Sequence, residues 1–121
     1  MLLDANFLML PAQMGVDIFE ELQALIPAKF ELATSRMAVF ELMRIAAKAG
    51  KHSPCAKIAL RMVEKRVSVL ESTENVDDWL LKEGIGGAVV CTNDKELIKR
   101  LREKRVKVVR VMGRSRLGFA D

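Results

Sequence analysis

The sequence predicts an α/β fold, a three-layer α/β/α sandwich with a central, mainly parallel five-stranded sheet. Two observations support this prediction. Segments with strand character alternate along the chain with amphipathic helical segments, and this order is typical of parallel sheets. Three of the strand segments, near 1–4, 86–92 and 106–111, are almost unbroken apolar runs, as expected of strands covered by helices on both faces.

The first part of the chain contains three predicted strands and three predicted helices. Pro27 ends the first helix and Gly50 the second, whereas Pro54 opens the third. Thr34 or Ser35 is a suitable N-cap for the second helix. In chain order we predict a strand ending near Asp4, a turn at 11–15, a helix at 16–26, a short strand at 29–33, helices at 35–49 and 54–66, and a strand at 67–71.

The remaining residues continue the alternation. A short helix at 74–84 has acidic residues in its first turn and a glycine at its end. A strand at 86–92, a helix at 94–105 and a strand at 106–111 follow, and the last ten residues show no clear period. We expect residues 1–121 to form one domain that includes the basic segment 95–116.

Positive charge is concentrated at the end of the chain. Residues 94–121 contain ten lysines and arginines but four acidic residues, whereas residues 1–93 carry a net charge of −2. This asymmetry favours a polyanionic partner such as a nucleic acid, although a charged helix face is more often simply solvated.

Composition argues against several other classes of protein. No apolar run approaches the ~18 residues that would span a bilayer, and Asp4 interrupts the apolar start of the chain, so we expect neither a membrane segment nor a signal peptide. Cys55 and Cys91 have no CxxC partner and the chain has one histidine, which argues against a zinc site. Reduced thiols in a cytoplasmic protein are the simplest interpretation.

Four acidic residues occupy positions near the carboxyl ends of predicted strands, where parallel α/β folds bind ligands. Asp4 closes the first strand, and Asp94 lies where the strand at 86–92 gives way to a helix. Asp77 lies in the first turn of the short helix. Glu41 is flanked by apolar residues in the second helix, so its side chain can point towards the sheet.

Each of these acids also has a purely structural interpretation. Asp4 can cap the turn that follows it. Asp77, Asp78 and Asp94 can stabilise the first turns of their helices. Glu41 can pair with an arginine one turn later. Trp79 can stack on a nucleobase, but packing beside its leucine neighbours is the commoner role.

Taken together, the four acids indicate more than helix capping. Several carboxylates at one sheet edge repel one another, and the sequence offers no dedicated basic partner for each. A hard divalent cation, Mg²⁺ or Mn²⁺, would remove this repulsion and could activate water for attack on a phosphodiester. The cations that would then hold the backbone of a nucleic acid are Lys95, Lys99, Arg100, Arg114 and Arg116.

Four stretches, in this order, are similar to a known family: "LLDAN", "TSRMAVFELMRIA", "VDDWLL" and "VVCTNDKELIKRLR". They resemble the PIN-domain nucleases, in particular small archaeal members close to the VapC-like toxins and to the ribosomal-RNA processing PIN endonuclease. The resemblance covers essentially the whole chain. It implies a parallel sheet between helices and metal-dependent hydrolysis of single-stranded RNA.

The resemblance also implies roles for individual residues. The four acids of the family correspond to Asp4, Glu41, Asp77 and Asp94, as catalytic residues and metal ligands. Supporting positions fall on Asn6, Ser35, Asp78, Thr92 and Asn93. This chain has "DAN" where "DTN" is commoner, so a hydroxyl that would orient Asp4 is missing from that motif.

Three functional hypotheses follow. The first is a ribonuclease, acting as the toxin of a toxin–antitoxin pair or in RNA processing. The second is an RNA-binding module in which the acids are only structural. The third is an interaction module whose methionine-rich surface binds an antitoxin or a second copy of the chain. We favour the ribonuclease, with Mg²⁺ or Mn²⁺ as cofactor, RNA as partner, and a homodimer as its expected assembly.

Overall fold

The computed structural model describes residues 1–120 and confirms the predicted mixed α/β architecture, in which helices flank a mainly parallel central sheet. The strands are β1 (Leu2–Leu3), β2 (Ala33–Ser35), β3 (Ser68–Leu70), β4 (Val90–Cys91), β5 (Val108–Met112) and β6 (Arg116–Phe119). The helices are α1 (Ala5–Leu8), α2 (Leu10–Met14), α3 (Ile18–Leu25), α4 (Arg36–Ala47), α5 (Ser53–Arg66), α6 (Val76–Ile85) and α7 (Lys95–Glu103).

The strands are ordered β3-β2-β1-β4-β5-β6 across the sheet. All neighbouring pairs are parallel except β5 and β6, which are antiparallel. The strand order reverses at β1, which has β2 on one side and β4 on the other. In open parallel sheets this reversal opens a crevice beyond the carboxyl ends of the two central strands, and ligands bind there.

Hydrophobic packing on both faces of the sheet explains the three layers. Successive residues of a strand point to opposite faces. Leu3 therefore packs in a cluster with residues of α1 to α5, whereas Leu2 packs with Trp79, Leu80 and Leu101 of α6 and α7. Trp79 is buried in this second cluster, so packing is its observed role.

The sheet has six strands, one more than the sequence indicated. The tail, which shows no sequence period, turns back at Gly113 and pairs with β5 from Met112↔Arg116 to Val109↔Phe119. Gly113 has a positive φ of 68°, which glycine adopts without steric cost. Only Leu117 of β6 is buried, so hydrogen bonding to an edge strand rather than an apolar pattern defines this element.

Two other local predictions were wrong. Residues 11–15, predicted as a turn, lie largely in α2, because Pro11 is compatible with a helix start and Gly15 ends the helix in a left-handed conformation. The second strand lies at Ala33–Ser35 rather than at 29–33, because these residues pair with β1 on one side and β3 on the other.

Candidate active site

Asp4 lies where β1 ends and α1 begins, and it is buried, with 8% of its surface exposed. Its Oδ1 accepts a hydrogen bond from the backbone N–H of Phe7 at 2.8 Å, so it is the N-cap of α1. Its Oδ2 accepts a hydrogen bond from the Thr92 hydroxyl. Both carboxylate oxygens are therefore held in fixed positions.

Thr92 connects two of the candidate acids. It is fully buried at the end of β4, beside β1, and its hydroxyl donates to Asp4. The same oxygen accepts a hydrogen bond from the backbone N–H of Asp94 at 3.2 Å. The hydroxyl that orients Asp4 thus comes from a residue 88 positions away, not from the "DAN" motif.

The candidate acids influence one another electrostatically. The pKa of Asp4 is raised from its ordinary value of 3.8 to about 6. Burial is the largest cause and the charges of Asp77 and Glu41 add to it, whereas the hydrogen bonds from Thr92 and Phe7 act in the opposite direction. Burial, followed by the charge of Asp94, raises the pKa of Asp77. Asp4 is therefore within electrostatic reach of Asp77 and Glu41, and Asp77 is within reach of Asp94.

Asp94 and Asp77 both lie at the N-terminal ends of helices. Asp94 is the N-cap of α7, and its Oδ1 accepts a hydrogen bond from the N–H of Leu97 at 3.0 Å. Asp77 lies in the first turn of α6, where Asn75 serves as the N-cap. Acidic side chains are favoured at such helix starts by the helix dipole.

Asp78 differs from Asp77 because it has a cationic partner. Its carboxylate forms an exposed salt bridge with Arg100 of α7, at 3.2 Å. Arg100 also lowers the pKa of the neighbouring Asp77. This arginine, predicted to bind RNA, therefore lies beside the acids and connects α7 to α6.

Two other predicted supporting residues, Ser35 and Asn93, accept hydrogen bonds from backbone N–H groups near the site. Ser35 is fully buried and caps α4, which carries Glu41, by accepting a hydrogen bond from the N–H of Ala38. The Asn93 side-chain oxygen accepts the N–H of Val111 at 2.8 Å, which ties the β4–α7 loop to β5. Asn6 is exposed on α1, next to Asp4.

The remaining predicted RNA contacts are exposed but do not form one compact patch. Lys95 and Lys99 line a shallow depression along α7. Arg114 lies in the turn between β5 and β6, and Arg116 begins β6. The predicted RNA contacts are thus divided between α7 and the final hairpin.

The carboxylate oxygens of the candidate acids are suitable ligands for a hard metal ion, although they do not form a complete coordination sphere. Within residues 1–120, no group of three or more His, Cys, Asp or Glu side chains is arranged to hold a metal. Mg²⁺, however, usually keeps several waters and is bound by one or two carboxylates. The described ion pairs involve Glu71, Glu74 and Asp78, so none neutralises the four candidate acids. A set of carboxylates that forms no described salt bridge, with Arg100 as a nearby cation, is compatible with a hydrated divalent ion.

The two cysteines lie outside this chemistry. Both are free thiols, and Cys91 is fully buried in β4. Burial raises its pKa to about 12, which keeps the thiol protonated and unreactive. Among the helices of residues 1–120, none has the length and apolarity needed to span a bilayer.

Comparison with known proteins agrees with this geometry. A family profile described as a PIN-like domain matches residues 1–114. Among solved structures, the PIN domain endonuclease Utp24 is similar, with a TM-score of 0.79 and 26% sequence identity over 98% of this chain and 88% of that chain. No curated protein matches the sequence. The chain therefore belongs to the PIN-like domain family.

Proposed function

We propose that this protein is a Mg²⁺- or Mn²⁺-dependent endoribonuclease that hydrolyses phosphodiester bonds in single-stranded RNA. The observation that carries the proposal is the state of Asp4. It is a buried carboxylate that feels the charges of Asp77 and Glu41 and forms no described salt bridge. Burying an uncompensated carboxylate is costly, and a bound cation would offset that cost.

Each acid has a role in this proposal. Asp4, Asp77 and Asp94 would hold the ion, directly or through water, and Glu41 would complete the site or accept a proton from the attacking water. When bound, the ion would lower the pKa of water and neutralise charge on the phosphate. Thr92 would keep Asp4 and Asp94 aligned through its two hydrogen bonds.

Family membership and the similarity to a PIN domain endonuclease support a nuclease reaction. The charge distribution supports a nucleic-acid substrate, because the basic residues of α7 and the final hairpin adjoin the acidic edge. The predicted contacts Lys95, Lys99, Arg100, Arg114 and Arg116 belong to the proposal as the residues that would hold the RNA backbone.

The test is cleavage of a panel of single-stranded and hairpin RNAs with Mn²⁺ and with EDTA. We expect cleavage of single strands with Mn²⁺ and none with EDTA. Asp4→Asn and Asp94→Asn should each lower the cleavage rate at least ~100-fold, since either change removes a charged ligand that the transition state requires.

Asp17→Asn is the matched control. Asp17 is also a helix N-cap whose Oδ1 accepts the N–H three residues later, but it lies at the start of α3. It should retain the wild-type rate. Equal rates for wild type and Asp4→Asn would contradict the proposed site, whereas RNA binding that EDTA does not affect, without cleavage, would favour the non-catalytic module.

The cellular role extends this proposal. A cytoplasmic enzyme could act as a VapC-like toxin with an antitoxin partner, or in RNA processing. Phe40 and Met43 on α4 are 47% and 51% exposed and lie one and two positions from Glu41 in sequence, so they would supply an apolar surface for an antitoxin or for a homodimer. Growth arrest on expression, relieved by a co-expressed small partner, would favour the toxin role.

A further inference from the structure

Arg110 of β5 lies at the same level of the sheet as Asp4, although it was not among the RNA contacts predicted from the sequence. The last paired positions of β1 with β4 and of β4 with β5 are Leu3↔Cys91 and Cys91↔Val109. One residue further along each strand, Asp4, Thr92 and Arg110 therefore form a row across the sheet. Arg110 is thus level with Asp4 at the carboxyl edge.

Strand alternation shows on which face this arginine lies. Val109 packs in the cluster of α1 to α5, whereas Val108 packs with α6 and α7. Since side chains alternate along a strand, Arg110 shares the face of Val108. This is the face covered by the two helices that carry Asp77 and Asp94.

The Arg110 side chain lacks an acceptor where one is expected. Its Nε is buried and has no hydrogen-bond partner within residues 1–120. The residue opposite in β6 is Gly118, and the Met112 side chain lies across it, 2.8 Å from the position of an added Cβ. Neither neighbour offers a strong acceptor, and a buried donor left without one is costly to the fold.

We propose that Arg110 binds a phosphate of the RNA strand lying along this edge, next to the phosphate that is cleaved. Two strand spacings, about 10 Å, separate β5 from β1. Arg110 could therefore contact one phosphate of the strand while a neighbouring phosphate lies at Asp4. The Arg110 side chain is half-buried, and with its Nε buried it is the terminal nitrogens of the guanidinium group that can present paired N–H donors to a phosphate. This inference rests on the proposed function: the acids supply the reaction, and Arg110 sets the position of the RNA strand.

The test compares Arg110→Met with Lys107→Met. Met preserves much of the length of both side chains and removes one charge, and Lys107 lies just before β5 at the opposite edge of the sheet. Affinity for a fluorescein-labelled single-stranded RNA is measured by anisotropy in EDTA at several salt concentrations.

We expect Arg110→Met to bind about tenfold more weakly, because the variant loses a hydrogen bond between charged groups. The slope of log affinity against log salt should become shallower by about 0.7, and Lys107→Met should stay within about twofold of wild type.

Because binding is measured without cleavage, its outcome is separate from that of the proposed function. Absence of cleavage by the wild type would overturn the endonuclease but would leave the Arg110 comparison decisive for RNA binding. Equal losses in the two variants, or no loss in either, would overturn the role of Arg110.

Arg110→Lys keeps the charge but removes the guanidinium, and it covers the case in which the Met variant does not fold. We expect it to bind with an affinity between those of wild type and Arg110→Met. With Mn²⁺ present, it should also raise KM more than it lowers kcat, since the residue binds RNA rather than the reacting water. Wild-type affinity in Arg110→Lys would contradict a specific contact through the guanidinium group.

Discussion

At the scale of single residues, Asp4 combines a structural role with a proposed chemical one. Its oxygens cap α1 and accept the Thr92 hydroxyl, and these bonds fix its orientation. Burial and two neighbouring acids nevertheless disfavour its charge. The capping and metal-ligand interpretations are therefore compatible, since the hydrogen bonds that cap the helix also hold the carboxylate in place.

The raised pKa of Asp4 predicts a specific pH dependence of stability without metal. The folded protein holds the Asp4 proton more tightly than the unfolded chain, so the contribution of this group to stability is full below pH ~4 and is lost as the pH rises through about 6. A shift from 3.8 to about 6 corresponds to roughly 3 kcal/mol.

Urea unfolding in EDTA between pH 4 and 7 measures this effect. Asp4→Asn should lack this part of the pH dependence and be at least as stable as wild type at pH 7, because asparagine can still cap α1. The exposed Asp17→Asn should follow the wild-type profile. Parallel profiles for wild type and Asp4→Asn would show that Asp4 does not carry the effect.

At the scale of elements, the site is built where strands give way to helices. β1 leads into α1 through Asp4, β2 into α4 through Ser35, and β4 into α7 through Asp94, and each of these residues is an N-cap. Because the three strands are parallel neighbours, their helix starts gather at one edge. The positive ends of the helix dipoles partly offset the crowded carboxylates.

The N-cap of α7 allows capping to be separated from metal binding. Asparagine caps helices about as well as aspartate, whereas alanine does not. Asp94→Asn should therefore keep its free energy of unfolding within ~0.5 kcal/mol of wild type, and Asp94→Ala should lose about 1 kcal/mol. Both variants should lose RNA cleavage.

Urea unfolding and a cleavage assay on the same preparations test this separation. Cleavage by Asp94→Asn at the wild-type rate would leave Asp94 with a capping role alone. Loss of stability in both variants would instead indicate that the charge of Asp94 contributes to the fold.

At the scale of the whole molecule, the sheet order separates acidic and basic surfaces along one edge. The strand reversal at β1 places Asp4 and Asp94, which follow β1 and β4, beside the central crevice. The final hairpin extends the sheet on the far side of β4 and carries Arg110, Arg114 and Arg116. In the proposed function, an RNA strand would contact this basic flank while one of its phosphates lies at the acids.

Metal binding at the acids should raise the stability of the whole domain, because a ligand that binds only the folded state stabilises it by mass action. At a Mn²⁺ concentration 100 times its Kd, we expect a gain of about 2.7 kcal/mol and a higher Tm. Asp4→Asn should lose most of this gain, and Asp17→Asn should keep it. Melting curves that coincide with Mn²⁺ and with EDTA would count against an ion at this edge.

The sequence by itself determined the alternation of helices and strands and the four candidate acids, because apolar periodicity and capping residues are local signals. Only the tertiary structure decided that Thr92 orients Asp4, that Arg100 pairs with Asp78, and that Arg110 lies level with Asp4. It also decided that the tail forms β6. These features depend on strand register and on contacts between residues far apart in the chain, and no local pattern in the sequence encodes them.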